Sequence, residues 1–192
     1  MQTPKKYLTE TALHQALSLQ DLTEQSAPDH AIRLLLNEIL LGLFEQGWPQ
    51  ANIQTGPRIV SAEENYGLLG YDPKEITLGS EHTRWVDEHS LLRTQTTSQI
   101  PAALQHAADA RQPGEMILLA APGITFRRDS RDRWHCAQPH QMDIWVLGDP
   151  DQLLLREKRM QFDLVDRRHD AGRVDQGAQV FGLEVAHADR AN

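Results

Sequence analysis

Residues 28–46 show the clearest periodic pattern in this chain, because their apolar side chains recur at three- and four-residue spacing. The apolar positions are Ile32, Leu35, Leu36, Ile39, Leu40, Leu43 and Phe44. This spacing predicts a long helix, which Gly47 and Pro49 are expected to end. Leu34 and Leu41 widen the apolar stripe, so we expect more than one side of the helix to be covered, by a sheet and by another subunit.

Two later stretches, 124–129 and 140–147, alternate between apolar and polar residues. A period of two is typical of a strand with one buried face. If the two strands pair antiparallel, they form a β-hairpin whose tip, residues 130–139, carries charged residues and the only cysteine. The polar residues on one face of this hairpin are then Arg127, Asp129, Gln141 and Asp143.

The polar face of the hairpin combines a guanidinium with carboxylates. A guanidinium is a planar fork that suits carboxylate and phosphate groups, whereas two nearby carboxylates suit an ammonium or an exocyclic amine. Such a face could bind a zwitterion next to a nucleotide. The alternative is the solvated outer face of an antiparallel sheet, where Arg and Asp are ordinary, and the alternation fits both interpretations.

Shorter patterns complete the predicted elements. Residues 52–60 look like a strand that is interrupted at Gly56-Pro57, and a proline places such a strand at a sheet edge or a bulge. Thr97 or Ser98 can cap a helix over residues 99–110. The apolar run 115–120 has the length of a strand and is expected to lie centrally beside the hairpin.

Composition narrows the class of protein. The 192 residues are enough for one domain with a sizeable core. A net charge of −8 argues against a chain whose main task is to coat nucleic acid, and a single cysteine excludes an internal disulfide. No apolar run reaches the roughly 20 residues of a membrane span, and the first residues lack the apolar core of a signal peptide. We therefore expect a cytoplasmic protein without a membrane partner.

The hairpin resembles motif 2 of the class II aminoacyl-tRNA synthetases, most of all that of the phenylalanyl-tRNA synthetase α chain. Phe126-Arg127-Arg128-Asp129 is similar to a strand that ends in Tyr/Phe-Arg-x-Asp/Glu, and Asp132-Arg133-Trp134-His135 to a loop of the form Asp-x-x-His. Pro139-His140-Gln141-Met142-Asp143 is similar to Phe-His-Gln-x-Glu. The departures are Pro139 for Phe and Asp143 for Glu.

Upstream stretches resemble the same family. Residues 91–99, LLRTQTTSQ, are similar to Leu-Leu-Arg-Thr-His-Thr-Ser-Pro-Val-Gln, with Gln95 in place of His and Thr97 in place of Ser. Asn65-Tyr66-Gly67-Leu68-Leu69 is similar to a Tyr-Asn-Phe-Asp-Ala-Leu segment. The long helix followed by a proline-containing strand resembles motif 1, which forms the dimer interface in that superfamily. The resemblance covers about residues 28–148.

The resemblance implies an α/β (α+β) fold, in which an antiparallel sheet is flanked by helices. It divides the chain into a polar, partly helical lead (1–27), a synthetase-like core (28–148) and a divergent C-terminal segment (149–192). Motif 3 should follow as Gly-Leu-Gly-Leu-Glu-Arg, and the nearest run is Phe181-Gly182-Leu183-Glu184-Val185, with Val185 at the position of the ATP-binding arginine.

The resemblance also implies a ligase that binds ATP with Mg²⁺ and an amino acid, forms an aminoacyl-adenylate and charges tRNA or another carrier. By carry-over, Arg127 is catalytic and contacts the α-phosphate and the amino-acid carboxylate. The other implied contacts are Asp129 and His135 to ATP, Thr97, Gln95, Gln141 and Asp143 to the amino acid, and Arg131 and Arg133 to tRNA or phosphate. A homodimer, or a partner chain, is expected to form through residues 28–60.

Two alternatives stay open at this point. The altered motif 3 favours a shortened, non-catalytic paralogue that serves as a binding or regulatory module. His135, Cys136, His140 and Asp143 have side chains that suit Zn²⁺, although neighbouring His135 and Cys136 cannot easily both point at one metal.

Overall fold

The helices and strands of the computed structural model lie within residues 5–27, 29–72, 79–80, 82–128 and 138–153, which are the residues that the structure describes. The helices are α1 (Glu10–Ser18), α2 (Ala31–Glu45), α3 (Ala62–Asn65) and α4 (Ile100–Ala110). The strands are β1 (Ala51–Ile53), β2 (Ile59–Ser61), β3 (Ser90–Leu92), β4 (Ile117–Ile124) and β5 (His140–Leu147). Short 3-10 turns form at Gly67–Leu69 and at Thr96–Gln99.

The strands form a larger and a smaller sheet. The larger has the order β1-β4-β5, in which β1 runs parallel to β4 and β5 runs antiparallel to it. The smaller pairs β2 with β3 antiparallel. The fold is therefore α+β with mostly antiparallel pairing and flanking helices, which confirms the expected fold class.

The hairpin exists, but its first strand differs from the prediction. β4 pairs with β5 from Ile117↔Leu147 to Ile124↔His140, so the run 115–120 is part of the hairpin and not a separate strand beside it. The reason is that Leu118, Leu119, Ala120 and Ala121 are all buried, and a strand buried on both faces reads as a continuous apolar run without alternation. The alternation at 124–128 does not mark a strand with one buried face, because Ile124, Thr125 and Phe126 are all buried. Phe126 N donates to Arg93 O at 2.9 Å, in the segment that follows β3.

Pro122 can lie inside β4 because the neighbouring strand β1 is too short to reach it. Ala120 O accepts a hydrogen bond from Gln54 N, which follows β1, at 2.7 Å. Alternate residues of a strand direct their backbone groups to the same side, so Pro122 also faces the β1 side. The β1 pairing ends at Ile53↔Ala120, and the missing N–H of Pro122 therefore costs no ladder hydrogen bond.

The predicted long helix is α2, and it packs through one side only. Gly47, with φ of 84°, follows its end as expected. Its Leu43 packs beside a buried cluster of Trp48, Leu118 and Val146. No residue of α2 is fully buried, because the opposite side is open in the part of the chain that the structure describes.

The N-terminal segment packs in a second buried cluster. Ala16 of α1 forms a buried cluster with Leu92, Ile124 and Phe126, and Leu8 N donates to Trp85 O at 2.8 Å. The division of the chain at residues 27 and 148 stays a prediction, and the contacts of α1 show that the lead is part of the folded unit. None of the helices in the described ranges is long and apolar enough to cross a membrane.

Candidate functional site

The chain segments directly beyond the paired strands stay bonded to each other, at Thr125 after β4 and at Pro139 before β5. Thr125 donates to Pro139 O through both its N–H, at 2.8 Å, and its hydroxyl, at 3.1 Å. Phe126 is then fully buried in the cluster that contains Leu92. Because successive side chains of an extended chain point to opposite sides, burial of Phe126 leaves Arg127 on the other side of the segment.

Arg127 is held in place by hydrogen bonds from both its side chain and its backbone to neighbouring segments. Its Nε donates to Thr94 O at 3.0 Å, and its carbonyl oxygen accepts from Arg84 Nη2 at 3.0 Å. The side chain is partly buried, and its two Nη groups make no hydrogen bond or ion pair to any residue that the structure describes. A guanidinium anchored through Nε keeps its two-pronged end for an anionic group.

Gln141 and Asp143 lie on one face of β5, as predicted. They pair with Gly123 and Ala121 of β4, and both side chains are partly buried. The 3-10 turn Thr96–Gln99 packs against β4 and β5. Its Thr97 is partly buried, with no hydrogen-bond partner for the hydroxyl within the described ranges. The hairpin and this turn thus bring Thr97, Gln141 and Asp143 to the same region.

Gln95 has a structural role that the sequence did not predict. Its Nε2 donates to Asn65 O at 2.9 Å, and its Oε1 accepts from the Tyr71 hydroxyl at 3.3 Å. Gln95 therefore ties the 65–71 segment to the turn that carries Thr97. One N–H and one acceptor lone pair remain for a ligand, so its assignment to amino-acid binding stays a prediction.

A buried polar network fixes the carbonyl that anchors Arg127. Asn65 Nδ2 donates to Thr94 Oγ1 at 2.8 Å, and Thr94 N donates to Asn65 Oδ1 at 3.0 Å. The Tyr66 hydroxyl bonds Thr83 Oγ1 at 2.6 Å and accepts from Thr94 Oγ1 at 3.4 Å. A buried network with its groups satisfied rigidifies its surroundings, so it orients Thr94 and, through it, Arg127.

Four predicted site residues and a suggested metal ligand lie outside the described residues. They are Asp129, Arg131, Arg133, His135 and Cys136. Among the residues that the structure does describe, no group of three or more His, Cys, Asp or Glu side chains could hold a metal ion. His140, which the zinc alternative requires, uses its Nε2 to accept a hydrogen bond from Leu22 N at 3.0 Å.

His140, which is partly buried, and Asp21, which is buried, form a titratable pair with Nε2 and Oδ1 3.8 Å apart. Burial lowers the pKa of His140, the positive charges of His30, Arg58 and Arg93 act in the same direction, and Asp21 opposes them. Burial raises the pKa of Asp21, but hydrogen bonds from Ile124 N and from Thr23 outweigh it, so the pKa is lowered overall. The native state thus favours neutral His140 and ionised Asp21.

Protonation of His140 is expected to make the protein less stable in mild acid. The relevant pH window lies between the ordinary histidine pKa of about 6.5 and the lowered pKa of His140 in the native state. Within this window His140 is protonated in the unfolded chain but not in the native state, so lower pH favours unfolding. In this window the free energy of unfolding should fall by up to about 1.4 kcal/mol per pH unit from this group. Asp21 adds its own loss only at still lower pH, below the ordinary aspartate pKa of about 3.9.

Urea unfolding at about pH 7.5 and about pH 5.5 measures this effect. The stability lost between the two values should be smaller for His140→Gln, whose amide oxygen can still accept from Leu22 N. His106→Gln, at an exposed position of α4, is the matched control and should lose as much as the unmodified protein. Equal losses for His140→Gln and the unmodified protein would contradict the prediction.

Three residues of the site were not singled out from the sequence. Arg93 and Asn65 lie within the two upstream stretches that resemble the synthetases, so inspection of those stretches for buried polar residues could have found them. Asp21 lies in the polar lead and has no local signal, because its partners Arg93 and Ile124 are distant in sequence.

The family of the chain follows from comparison with known proteins. A model of the tRNA synthetases class II core domain (F) matches residues 16–160. The phenylalanine–tRNA ligase alpha subunit of Hamiltonella defensa is 26% identical over 155 residues, which are 77% of this chain and 44% of that protein. The one from Lawsonia intracellularis is 32% identical over 119 residues, which are 62% of this chain and 31% of that protein. The chain thus spans less than half the length of these curated relatives.

Solved structures share the fold. Pyrrolysyl-tRNA synthetase from Desulfitobacterium hafniense superposes with a TM-score of 0.54 at 15% identity, over 80% of this chain and 50% of that chain. A second pyrrolysyl-tRNA synthetase structure from the same organism gives 0.51 at 18% identity, over 77% of this chain and 48% of that chain. At such identities the likeness concerns the fold alone. With the matched core model over residues 16–160, it follows that the chain belongs to the family of class II tRNA synthetase core domains.

Proposed function

We propose that this chain binds ATP and an amino acid on the face that carries Arg127, Gln141 and Asp143, and joins them as an aminoacyl-adenylate. Transfer of the aminoacyl group to tRNA or another carrier would follow. A cytoplasmic location is part of the same proposal, because tRNA and the carriers of activated amino acids are found there.

The observation that carries the proposal is the state of Arg127. Its Nε is fixed on Thr94 O, while its Nη groups have no partner in the described part of the chain. The same hairpin presents Gln141 and Asp143. The hairpin and the segment after it thus carry a cation for phosphate or carboxylate, and an anion and an amide that suit the ammonium of an amino acid.

The proposed reaction needs positioning more than covalent chemistry by the protein. A carboxylate oxygen of the amino acid attacks the α-phosphorus of ATP, the bond to the β-phosphate breaks, and pyrophosphate leaves. Two anions must approach and negative charge builds at phosphorus, so a prearranged guanidinium lowers the barrier. Arg127 is proposed for this role, and Thr97, Gln141 and Asp143 for holding the amino acid.

Magnesium is part of the same proposal. Mg²⁺ at nucleotide sites is held by one or two carboxylates together with phosphate oxygens and water, and the phosphates of bound ATP would supply such oxygens. Bound Mg²⁺ would neutralise charge on the phosphates. Asp129, His135, Arg131 and Arg133 keep their predicted contacts to ATP, phosphate or tRNA as part of the proposal.

We also propose that the open side of α2 pairs with a second copy of the chain. Leu41 and Phe44 are 50% and 58% exposed, and with Ile53 they line an apolar groove of about 430 Å³ between α2 and β1. The other large apolar side chains exposed on this helix are Leu34, Leu35 and Ile39. Contiguous exposed apolar surface of this kind marks an interaction site, and a two-fold dimer is the commonest way to cover it.

Calorimetry tests the ligand proposal directly. Titration of the protein with ATP in the presence of Mg²⁺ should give saturable binding, and a panel of amino acids should then contain one that binds more tightly with ATP present. GTP is the control for general attraction of a triphosphate. Absence of binding by ATP and by every amino acid would contradict the proposal.

The second candidate is a non-catalytic paralogue that serves as a binding or regulatory module. Val185 favours it, because in the Phe181–Val185 run it replaces the arginine that contacts ATP in motif 3. Binding of ATP or an amino acid without any ATP–pyrophosphate exchange would identify this candidate.

A further inference from the structure

A buried ion pair links the N-terminal segment to the end of β4. Arg93 Nη2 lies 3.5 Å from Asp21 Oδ2, and the two side chains are only 3% and 5% exposed. Removing two charges from water costs several kcal/mol per ion, so a buried pair is a poor device for stability alone. A role in fixing geometry would account for it better.

The pair holds both backbone groups of Ile124. Asp21 Oδ2 accepts from Ile124 N at 2.8 Å, and Arg93 Nε donates to Ile124 O at 2.9 Å. Arg93 Nη1 also donates to Gly56 O at 3.0 Å. Ile124 is the last residue of β4, so these bonds fix where the strand ends and how the chain leaves it.

Further hydrogen bonds connect the segment of Arg93 to Arg127, three residues after Ile124. Phe126 N donates to Arg93 O at 2.9 Å, and Arg127 Nε donates to Thr94 O at 3.0 Å. Two consecutive residues, Arg93 and Thr94, therefore contact Ile124, Phe126 and Arg127 in turn. A shift of Arg93 would move all three.

Gly123 keeps room for this arrangement. A Cβ atom on Gly123 would overlap Arg93 Nη2, far inside van der Waals contact, and would lie 3.4 Å from Asp21 Oδ2. The guanidinium is held by bonds to Ile124 and Gly56 and cannot move away without breaking them, so any side chain at position 123 would displace it.

We infer that Asp21 and Arg93 are positioning residues, which touch no ligand and set the place of Arg127 through Ile124 and Phe126. The inference rests on the proposed function of Arg127 in anion binding. It assigns the N-terminal segment a part in the site that local sequence does not reveal.

The test compares Asp21→Asn, Arg93→Lys and Gly123→Ala. Each should speed hydrogen–deuterium exchange at the amides of Ile124 and Phe126, and should weaken binding of a non-hydrolysable aminoacyl-adenylate analogue by about tenfold or more, since small misplacements of a binding group are costly. Gly123→Ala retains both charges, so it separates geometry from loss of charge. Thermal unfolding confirms that each variant is folded.

Arg58→Ala is the matched control. The Arg58 side chain donates to Leu17 O and Leu19 O, so it ties down the same N-terminal segment without a contact to Ile124. It should leave exchange at 124 and 126 and the affinity unchanged. Unchanged exchange in Asp21→Asn, or faster exchange with unaltered affinity, would overturn the inference. If the unmodified protein does not bind the analogue, the proposed function fails, and exchange alone then decides whether the pair orders the segment.

Discussion

Replacing Arg127 with alanine is expected to abolish measurable binding of a non-hydrolysable aminoacyl-adenylate analogue. The analogue carries a stable group in place of the acyl phosphate, and Arg127 is proposed to contact the phosphate and carboxylate parts that this group mimics. Losing a charge-assisted contact of this kind costs about 2–5 kcal/mol when the partner charge is left unpaired, which is roughly 30-fold to several thousand-fold in affinity. Isothermal titration calorimetry with the unmodified protein and the variant measures the difference.

Arg128 provides the matched control for this experiment. It follows Arg127 directly and faces the other side of the extended segment, and its N–H donates to His82 O at 3.3 Å. Arg128→Ala removes the same charge from the same segment and should weaken binding far less. Equal losses in the two variants would mean that the hairpin attracts anions without a specific site.

Replacing Leu41 with glutamate is expected to convert a dimer into a monomer. Leu41 is half exposed on α2 and lines the groove with Phe44 and Ile53, so a self-associated face would bury it. An unpaired buried charge costs about 3–5 kcal/mol, which raises the dissociation constant by roughly a hundredfold to a few thousandfold. Light scattering at a series of protein concentrations should show a dimer for the unmodified chain and a monomer for the variant.

Leu68 is the matched control for the dimer. It is 55% exposed, on the 3-10 turn Gly67–Leu69 and outside the α2 groove. Leu68→Glu introduces the same charge at an equally exposed leucine and should leave the dimer intact. A monomer at high concentration for the unmodified chain would rule out the proposed association.

Much of the candidate site could be predicted from sequence because its residues lie within two contiguous stretches. Gln141 and Asp143 share a face for the local reason that a strand alternates, and Thr97 belongs to a turn next to its own helix, α4. The local pattern could not predict the hydrogen bonds of Gln95, whose side-chain amide contacts Asn65 and Tyr71. The partners of a buried amide depend on which distant segments pack against it.

The boundaries of the hairpin also could not be predicted from the local pattern. Alternation placed the first strand at 124–129, but β4 begins at Ile117 and ends at Ile124. Burial on both faces removed the alternation from the true strand. At its end the polar Thr125 is as fully buried as Ile124 and Phe126, because its N–H and hydroxyl both donate to Pro139 O. Alternating polarity therefore did not correspond to alternating burial.

The sequence by itself determined the long helix, its end just before Gly47, the hairpin with Gln141 and Asp143 on one face, and the family through its motifs. These features depend on spacing and turn chemistry over a few residues, which a linear pattern contains. Only the tertiary structure decided that α2 leaves one side open, and that Asp21 and Arg93 meet at Ile124. Asp21 and Ile124 are 103 positions apart in the chain, and a contact at that separation is decided by the packing of whole elements around one core.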